Sequence, residues 1–213
     1  MAPAELAGEL IAWTPFLAGG FLRNLLISAL AMGLGTLVGI GIASGRDSGS
    51  RGARLTGRGV TSVFRNVPSF VLLFYIAFLL PVEVEVAGTV VAIPNWIKAT
   101  IALTIPAAAF AADQSLAFRR QRREGVAHPE AIFWSAWMQY FLIIFMASST
   151  ASVIGTDEVV ARANTVVATH STSTFMLATY SYIAVWFFAA AMLISRGAPV
   201  LIHRAARARG VRA

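Results

Sequence analysis

The chain has 213 residues, 57% of them hydrophobic and only 13% charged, with 17 basic against 10 acidic residues and a formal charge of +7. An ordinary soluble domain carries about 25% charged residues, so this composition excludes a water-soluble globule and places the chain in a membrane. Cysteine is absent, which excludes disulfides and thiolate chemistry and leaves the redox compartment unread.

The opening stretch AELAGELIAWTPFL places Glu5 and Glu9 ahead of its apolar residues, and no basic residue precedes Arg23. A cleavable leader begins with a basic segment, so this stretch is expected instead to be a short interfacial helix within residues 1–19, with Trp13 at headgroup depth. A first span follows at 24–45, 22 residues without a charge, against the roughly 20 that cross the hydrocarbon core as a helix. Within it Ala31, Gly35, Gly39 and Ala43 recur every four residues and share one face, where a second helix can approach closely. Gly41 and Gly45 form a further pair of this kind. Such a face packs either inside the subunit or against another one. The run SGRDSGSRGARLTGRG at 44–59 then reads as a mobile loop.

A second span is expected at 66–82, 17 residues with Pro68 inside it, and a third at 99–118, 20 residues with Pro106 and Asp113. Pro106 deletes one backbone hydrogen bond and implies a kink beside protein or water. An ionised carboxylate in hydrocarbon is costly, so Asp113 must be paired, neutral or next to a wet cavity. Arg119, Arg120, Arg122 and Arg123 crowd the short connection that follows. A fourth span at 131–156, 26 residues, has a polar side made by Gln139 and the run Ser148, Ser149, Thr150. The fifth, at 163–195, has 33 residues and leads into a basic tail at 196–213. These elements describe one all-α, polytopic membrane domain over 1–213. Asp113, Gln139, Ser148, Ser149 and Thr150 either bond between helices or line a substrate pathway.

Charge sets the expected orientation. Arg46, Arg51, Arg54, Arg58 and Arg65 lie in one connection, the four arginines at 119–123 in another, and Arg196, Arg204, Arg207, Arg209 and Arg212 in the tail. With five alternating spans all fourteen fall on one side, whereas the other side holds most of the acids and only Arg23, Lys98 and Arg162 as cations. The positive-inside rule then puts the N-terminus outside and the C-terminus in the cytoplasm. The basic excess is accounted for by topology and lipid headgroups, with no nucleic-acid partner. The single lysine, Lys98, is followed by Ala99, so the G-x-x-x-x-G-K-[ST] phosphate loop is absent; His128, His170 and His203 are too scattered for a helical metal pair, and no G-x-S-x-G occurs. The chain is therefore expected to be neither an enzyme nor a metal binder.

FRNVPSFVLLFYIAFLLP at 64–81 resembles the second-helix segment of permease subunits in bacterial polar-amino-acid ABC importers, where F-R-G-T-P precedes an aromatic-rich apolar run and a closing L-P. SSTASVIGTDEVVARAN at 148–164 is similar to the T-S-L-A-S-V-I-G of that family and the acidic, then basic, stretch after it. The glycine-bearing opening WTPFLAGGFLRNLLISALAMGLGTLVGIGIA has the same layout, so the resemblance covers nearly the whole chain. It implies a five-helix type I importer permease fold in the bacterial inner membrane, transporting amino acids or related small polar solutes. The implied partners are a second permease, two cytoplasmic ATPases that bind the ATP, and a periplasmic solute-binding protein; this chain itself needs no cofactor.

The chain departs from the family after the third span. Members carry E-A-A-x-x-x-G and, about nine residues later, I-x-L-P-Q-A, which form the short helices that seat in the ATPase. Here His128-Pro129-Glu130-Ala131 fits the L-P-Q-A position and the coupling segment is missing. The 13 residues from Arg119 to Ala131 give one helix of about 20 Å at most, so two coupling helices do not fit. Arg119, Arg120, Arg122, Arg123 and Glu130 then form a remnant coupling loop, its arginines held by headgroups or by an acidic patch on an ATPase. The family's lysine ahead of the serine run and the residue beside it are Met146 and Ala147 here. Two roles remain: a permease that forms half of the pathway, or a degenerate, non-transporting partner that stabilises or regulates a second permease with an intact E-A-A loop.

Overall fold

A computed structural model describes residues 3–170 and 172–208. The tail residues Arg209 and Arg212 lie outside the described residues.

The first helix, α1 (Pro3–Arg46), runs unbroken for 44 residues, so the expected interfacial helix is the N-terminal half of α1 rather than an element of its own. Pro15 removes one of its backbone bonds without ending it. This half persists because two later helices cover it: Leu10 and Leu17 pack with Val159, Val166, Phe175 and Ile183. The stretch expected to be a loop, 44–59, is helical except at 47–50: α1 ends at Arg46 and α2 (Arg51–Asn66) begins at its eighth residue. Ser50 starts it by accepting from the Ala53 N–H at 3.4 Å. Gly57 lets it lie against α1, since a Cβ there would stand 2.6 Å from Arg46 Cγ.

The chain then bends by 103° at Pro68 into α3 (Ser69–Leu79). Proline there cannot donate and biases Val67 away from helical angles. With 11 residues α3 spans about 16 Å, too short to cross alone, so the expected second span is one limb of a broken pair. Its last carbonyls, of Ala77 and Leu80, accept from Lys98 Nζ at 3.3 and 3.0 Å. An antiparallel hairpin follows, β1 (Glu83–Val86) with β2 (Thr89–Ala92), in the register Glu83 to Ala92 and Val86 to Thr89. Its two turn residues, Ala87 and Gly88, both have positive φ, 52° and 81°, as a two-residue hairpin turn demands.

Next come α4 (Asn95–Arg123), α5 (Pro129–Ser148) with a 3-10 extension (Ser149–Ile154), α6 (Val159–Ala168) and α7 (Ser173–Ala208). The expected fifth apolar run is thus split between α6 and α7. Among the described residues four helical segments, α1, α4, α5 with its extension and α7, are long and apolar enough to cross a membrane, or five with the bent α2–α3 pair taken as one.

The seam between α1 and α4 is packed close to the backbone. A Cβ on Gly35 would stand 2.5 Å from Ala107 Cβ, and one on Gly39 would stand 2.6 Å from both the Ala108 carbonyl oxygen and Ala111 Cβ. Ala31 and Ala43, one turn beyond each end, are fully buried. The small-residue face therefore packs inside this chain, and its rising register shows that α1 and α4 run in the same direction. The second glycine pair does not pack: Gly41 has open space where a Cβ would be, and Gly45 only an ordinary contact with the Ala53 carbonyl at 3.8 Å. α5 runs against α1, because Trp137 Nε1 donates to Thr36 Oγ1 near one end while Asn24 donates to Ser148 Oγ near the other.

This seam sets a test. Gly39→Val forces a branched side chain against backbone and should destabilise the detergent-solubilised protein by about 1–3 kcal/mol or more. Gly41→Val, which meets open space, should leave the thermal unfolding midpoint within a degree or two of wild type, as surface changes do.

Candidate functional site: a buried polar junction and the basic end

Three elements meet around Asn24, a fully buried amide on α1. Its Nδ2 donates to Ser148 Oγ and to Glu158 Oε2, each at 3.0 Å, while its Oδ1 accepts from the Val159 N–H at 3.1 Å. Glu158 is the N-cap of α6 and accepts the Ala161 and Val160 N–H groups at 2.9 and 3.1 Å. Burial pushes its carboxyl above the ordinary glutamate range, a shift opposed by the hydrogen bonds from Val160, Asn24 and Ala161. Thr156, also buried, has a hydroxyl with no hydrogen-bond partner among the described residues.

Glycine permits this meeting. A Cβ on Gly20 would stand 2.7 Å from the Val159 nitrogen, so α6 abuts α1 backbone to backbone. Just beyond, Arg162 holds Asp157 with two bonds of 2.9 and 2.8 Å and donates to the Phe16 carbonyl at 2.7 Å. It also lies 4.9 Å from the centre of the Phe16 ring. The hydrogen bond from Arg162 holds the Asp157 carboxyl below its ordinary range.

Of the five side chains expected to line a pathway, Ser148 alone joins this junction. Ser149 and Thr150 donate to the carbonyls of Met146 and Ala147, both at 2.7 Å, and so bond locally where α5 passes into its 3-10 turn. Gln139 is exposed on α5. Asp113 belongs to the opposite end. It pairs with Arg46 at 2.6 Å and Arg65 at 3.5 Å, about 33 Å along α1 from Asn24 at 1.5 Å per residue. The requirement that Asp113 be paired is met, and the pair ties α1, α2 and α4 together; Arg46 also donates to Thr61 at 3.2 Å.

The arginines at 119–123 are not in a loop. They lie at the C-terminal end of α4, Arg120, Arg122 and Arg123 in its last turn, where the helix dipole favours cations. Arg119 and Arg123 pair with Asp47 at 3.5 and 2.9 Å, and Arg120 pairs with Glu124 at 2.7 Å. Only residues 124–128 separate α4 from α5. Gly125 and His128, with φ of 71° and 55°, reverse the chain there, and Glu130 lies in the first turn of α5. No helix stands between α4 and α5 that could act as a coupling helix.

Sequence reasoning missed Asn24, Glu158 and Lys98 as structural hubs. A signal existed for Glu158, an acidic residue directly before the run Val-Val-Ala, which is how an N-cap reads. Asn24 stood at the edge of a span and carried no such mark. Among the described residues no group of three or more His, Cys, Asp or Glu is placed to hold a metal ion.

No protein-family model and no curated protein matches the chain. A solved structure of an amino acid ABC transporter with histidines superposes on 91% of this chain and 96% of its own, with a TM-score of 0.72 at 21% identity. The chain has a type I ABC importer permease fold. Within that fold the junction at Asn24 joins α1, α5 and α6 at one end, and the paired arginines join α1, α2 and α4 at the other.

Removing the junction's centre has a stated cost. Asn24→Ala strands the Val159 N–H and withdraws a donor from Glu158 and Ser148, so stability should fall by about 1–3 kcal/mol. The readout is a lowered unfolding midpoint in detergent. Gln139→Ala, on the exposed face of α5, should leave that midpoint unchanged.

Proposed function

We propose that this chain is a membrane-spanning permease subunit of an ABC importer for amino acids or related small polar solutes. The observation that carries the reading is the fold likeness to an amino acid ABC transporter over nine-tenths of both chains. The segments at 64–81 and 148–164 support it, since they occupy the α2–α3 bend and the α5–α6 passage of that fold. Hydrolysis then belongs to separate cytoplasmic ATPases, delivery to a solute-binding protein, and the second half of the pathway to another permease. The localisation is the bacterial inner membrane, with the N-terminus outside and the basic end in the cytoplasm, in keeping with the arginine clusters. A reporter active only in the cytoplasm, fused after Arg212, should give signal; a silent fusion would invert the orientation.

A second reading draws on the connection at 124–128. Closure of an ATPase dimer moves a membrane helix only through a mechanical contact, and this turn offers no helix for the ATPase groove. The chain then works beside a permease with an intact E-A-A loop, either as half of the pathway or as a non-transporting partner. Reconstitution in liposomes with ATPase and binding protein tests both. Uptake should require the second permease, and ATP-driven uptake with this chain as the sole permease would refute the dependence. Substitution of Ser148, Ser149 or Thr150 that alters solute preference in the mixed complex would mark a pathway subunit; unchanged preference would mark a supporting partner.

A further inference from the structure

A cavity of about 460 Å³ opens at the basic end between α1, α4 and α5. Part of its wall is aromatic, built by Phe118, Phe133 and Trp134, and part is ionic, built by Arg119, Arg122 and Glu130. Ser115 also lines it; this residue is buried, and its hydroxyl has no hydrogen-bond partner among the described residues. A buried hydroxyl left unmade is costly, so this one calls for a group from outside the chain.

The ionic wall is likewise incomplete. Arg119 is engaged by Asp47 and Ser44. Arg122, by contrast, has the Phe118 ring at 5.8 Å but no carboxylate partner among the described residues. Glu130 has no cation partner among them either. A positive and a negative side chain thus line one cavity without pairing to each other. A ligand with an anion and an ammonium joined by a short linker would satisfy both, and its anion would also reach Ser115.

We propose that this cavity is a binding site for an aminophospholipid. The phosphate is held by Arg122 and Ser115, the primary ammonium by Glu130, and the glycerol with the first acyl carbons lies on Phe118, Phe133 and Trp134. Three features select a lipid over a free amino acid, which carries the same pair of charges. The aromatic wall has nothing to match on a small polar zwitterion, and the volume far exceeds what one would fill. The cavity also stands where the spans end among arginines and a tryptophan, at headgroup depth. Glu130 selects against lipids with only negative charge, since their phosphate would bring no ammonium to neutralise it. A quaternary ammonium could not donate to that carboxylate.

The test uses the full chain, delipidated in detergent and titrated with short-chain phosphatidylethanolamine, phosphatidylcholine or phosphatidylglycerol, with binding read by native mass spectrometry. Phosphatidylethanolamine should bind about tenfold more tightly than either of the others, as a charge-assisted hydrogen bond would give. Glu130→Gln should erase the preference over phosphatidylglycerol, and Arg122→Gln should weaken all three lipids. Both residues are exposed, and unchanged circular dichroism confirms that the variants fold. Equal affinity for the three lipids, or a preference that survives Glu130→Gln, would overturn the proposal. Displacement of bound lipid by millimolar glycine would also overturn it, by assigning the cavity to a soluble zwitterion. The readout requires no transport, so it stands or falls separately from the proposed function.

Discussion

The architecture rests on one steric constraint, the contact of α1 with α4 through glycine and alanine. Lipid tails are as apolar as leucine side chains, so helices in a bilayer gain little from burying apolar surface against each other and depend on close packing and on hydrogen bonds. At Gly35 and Gly39 the backbones approach until a methyl group would not fit. That approach fixes the axial register of the two longest early helices. The register in turn brings Arg46 opposite Asp113 and Asp47 opposite Arg119 and Arg123. Charges that would be costly singly are thereby placed in pairs at one level.

The other end obeys the same economy with different chemistry. α6 is too short to span, and its first N–H groups would be unsatisfied if it simply abutted α1. Glu158 supplies two acceptors to that turn, Asn24 supplies a third and also fills one of the Glu158 lone pairs. Gly19 and Gly20 leave room for the Arg162 side chain and the α6 backbone. The polar groups at this end serve each other first, which is why Ser148 is a structural partner of Asn24 as well as a residue of the resembled motif.

Much of this was legible in the sequence, and the limits have physical causes. The periodic small residues Ala31, Gly35, Gly39 and Ala43 gave the packing face outright, because only close helix contact rewards that spacing. Whether the contact lay within the chain was open, since periodicity names a face and not its partner. The shortness of the connection after the third span was visible by counting. The helicity of α2 was not, because Gly52, Gly57 and Gly59 read as loop residues; Gly57 at least is required by the approach to Arg46, a tertiary reason that propensity does not carry. The continuity of α1 through Pro15 was hidden for the same reason, as it depends on α6 and α7 lying alongside. Gln139 and Asp113 were grouped with the serines on polarity alone, which cannot tell a group bonded across helices from one facing outward.

The single lysine of the chain has a consequence of a different kind. Lys98 is 2% exposed, and its ammonium is spent on the carbonyls of Ala77 and Leu80 at the end of α3. Arginine supplies every other side-chain cation, and its guanidinium stays protonated and is a poor nucleophile. The folded chain therefore presents water with no side-chain amine at all. Acylation, imine formation and amine-directed crosslinking find no foothold on its side chains while α3 and α4 remain together. The one side-chain amine is covered by the same contact that ends α3.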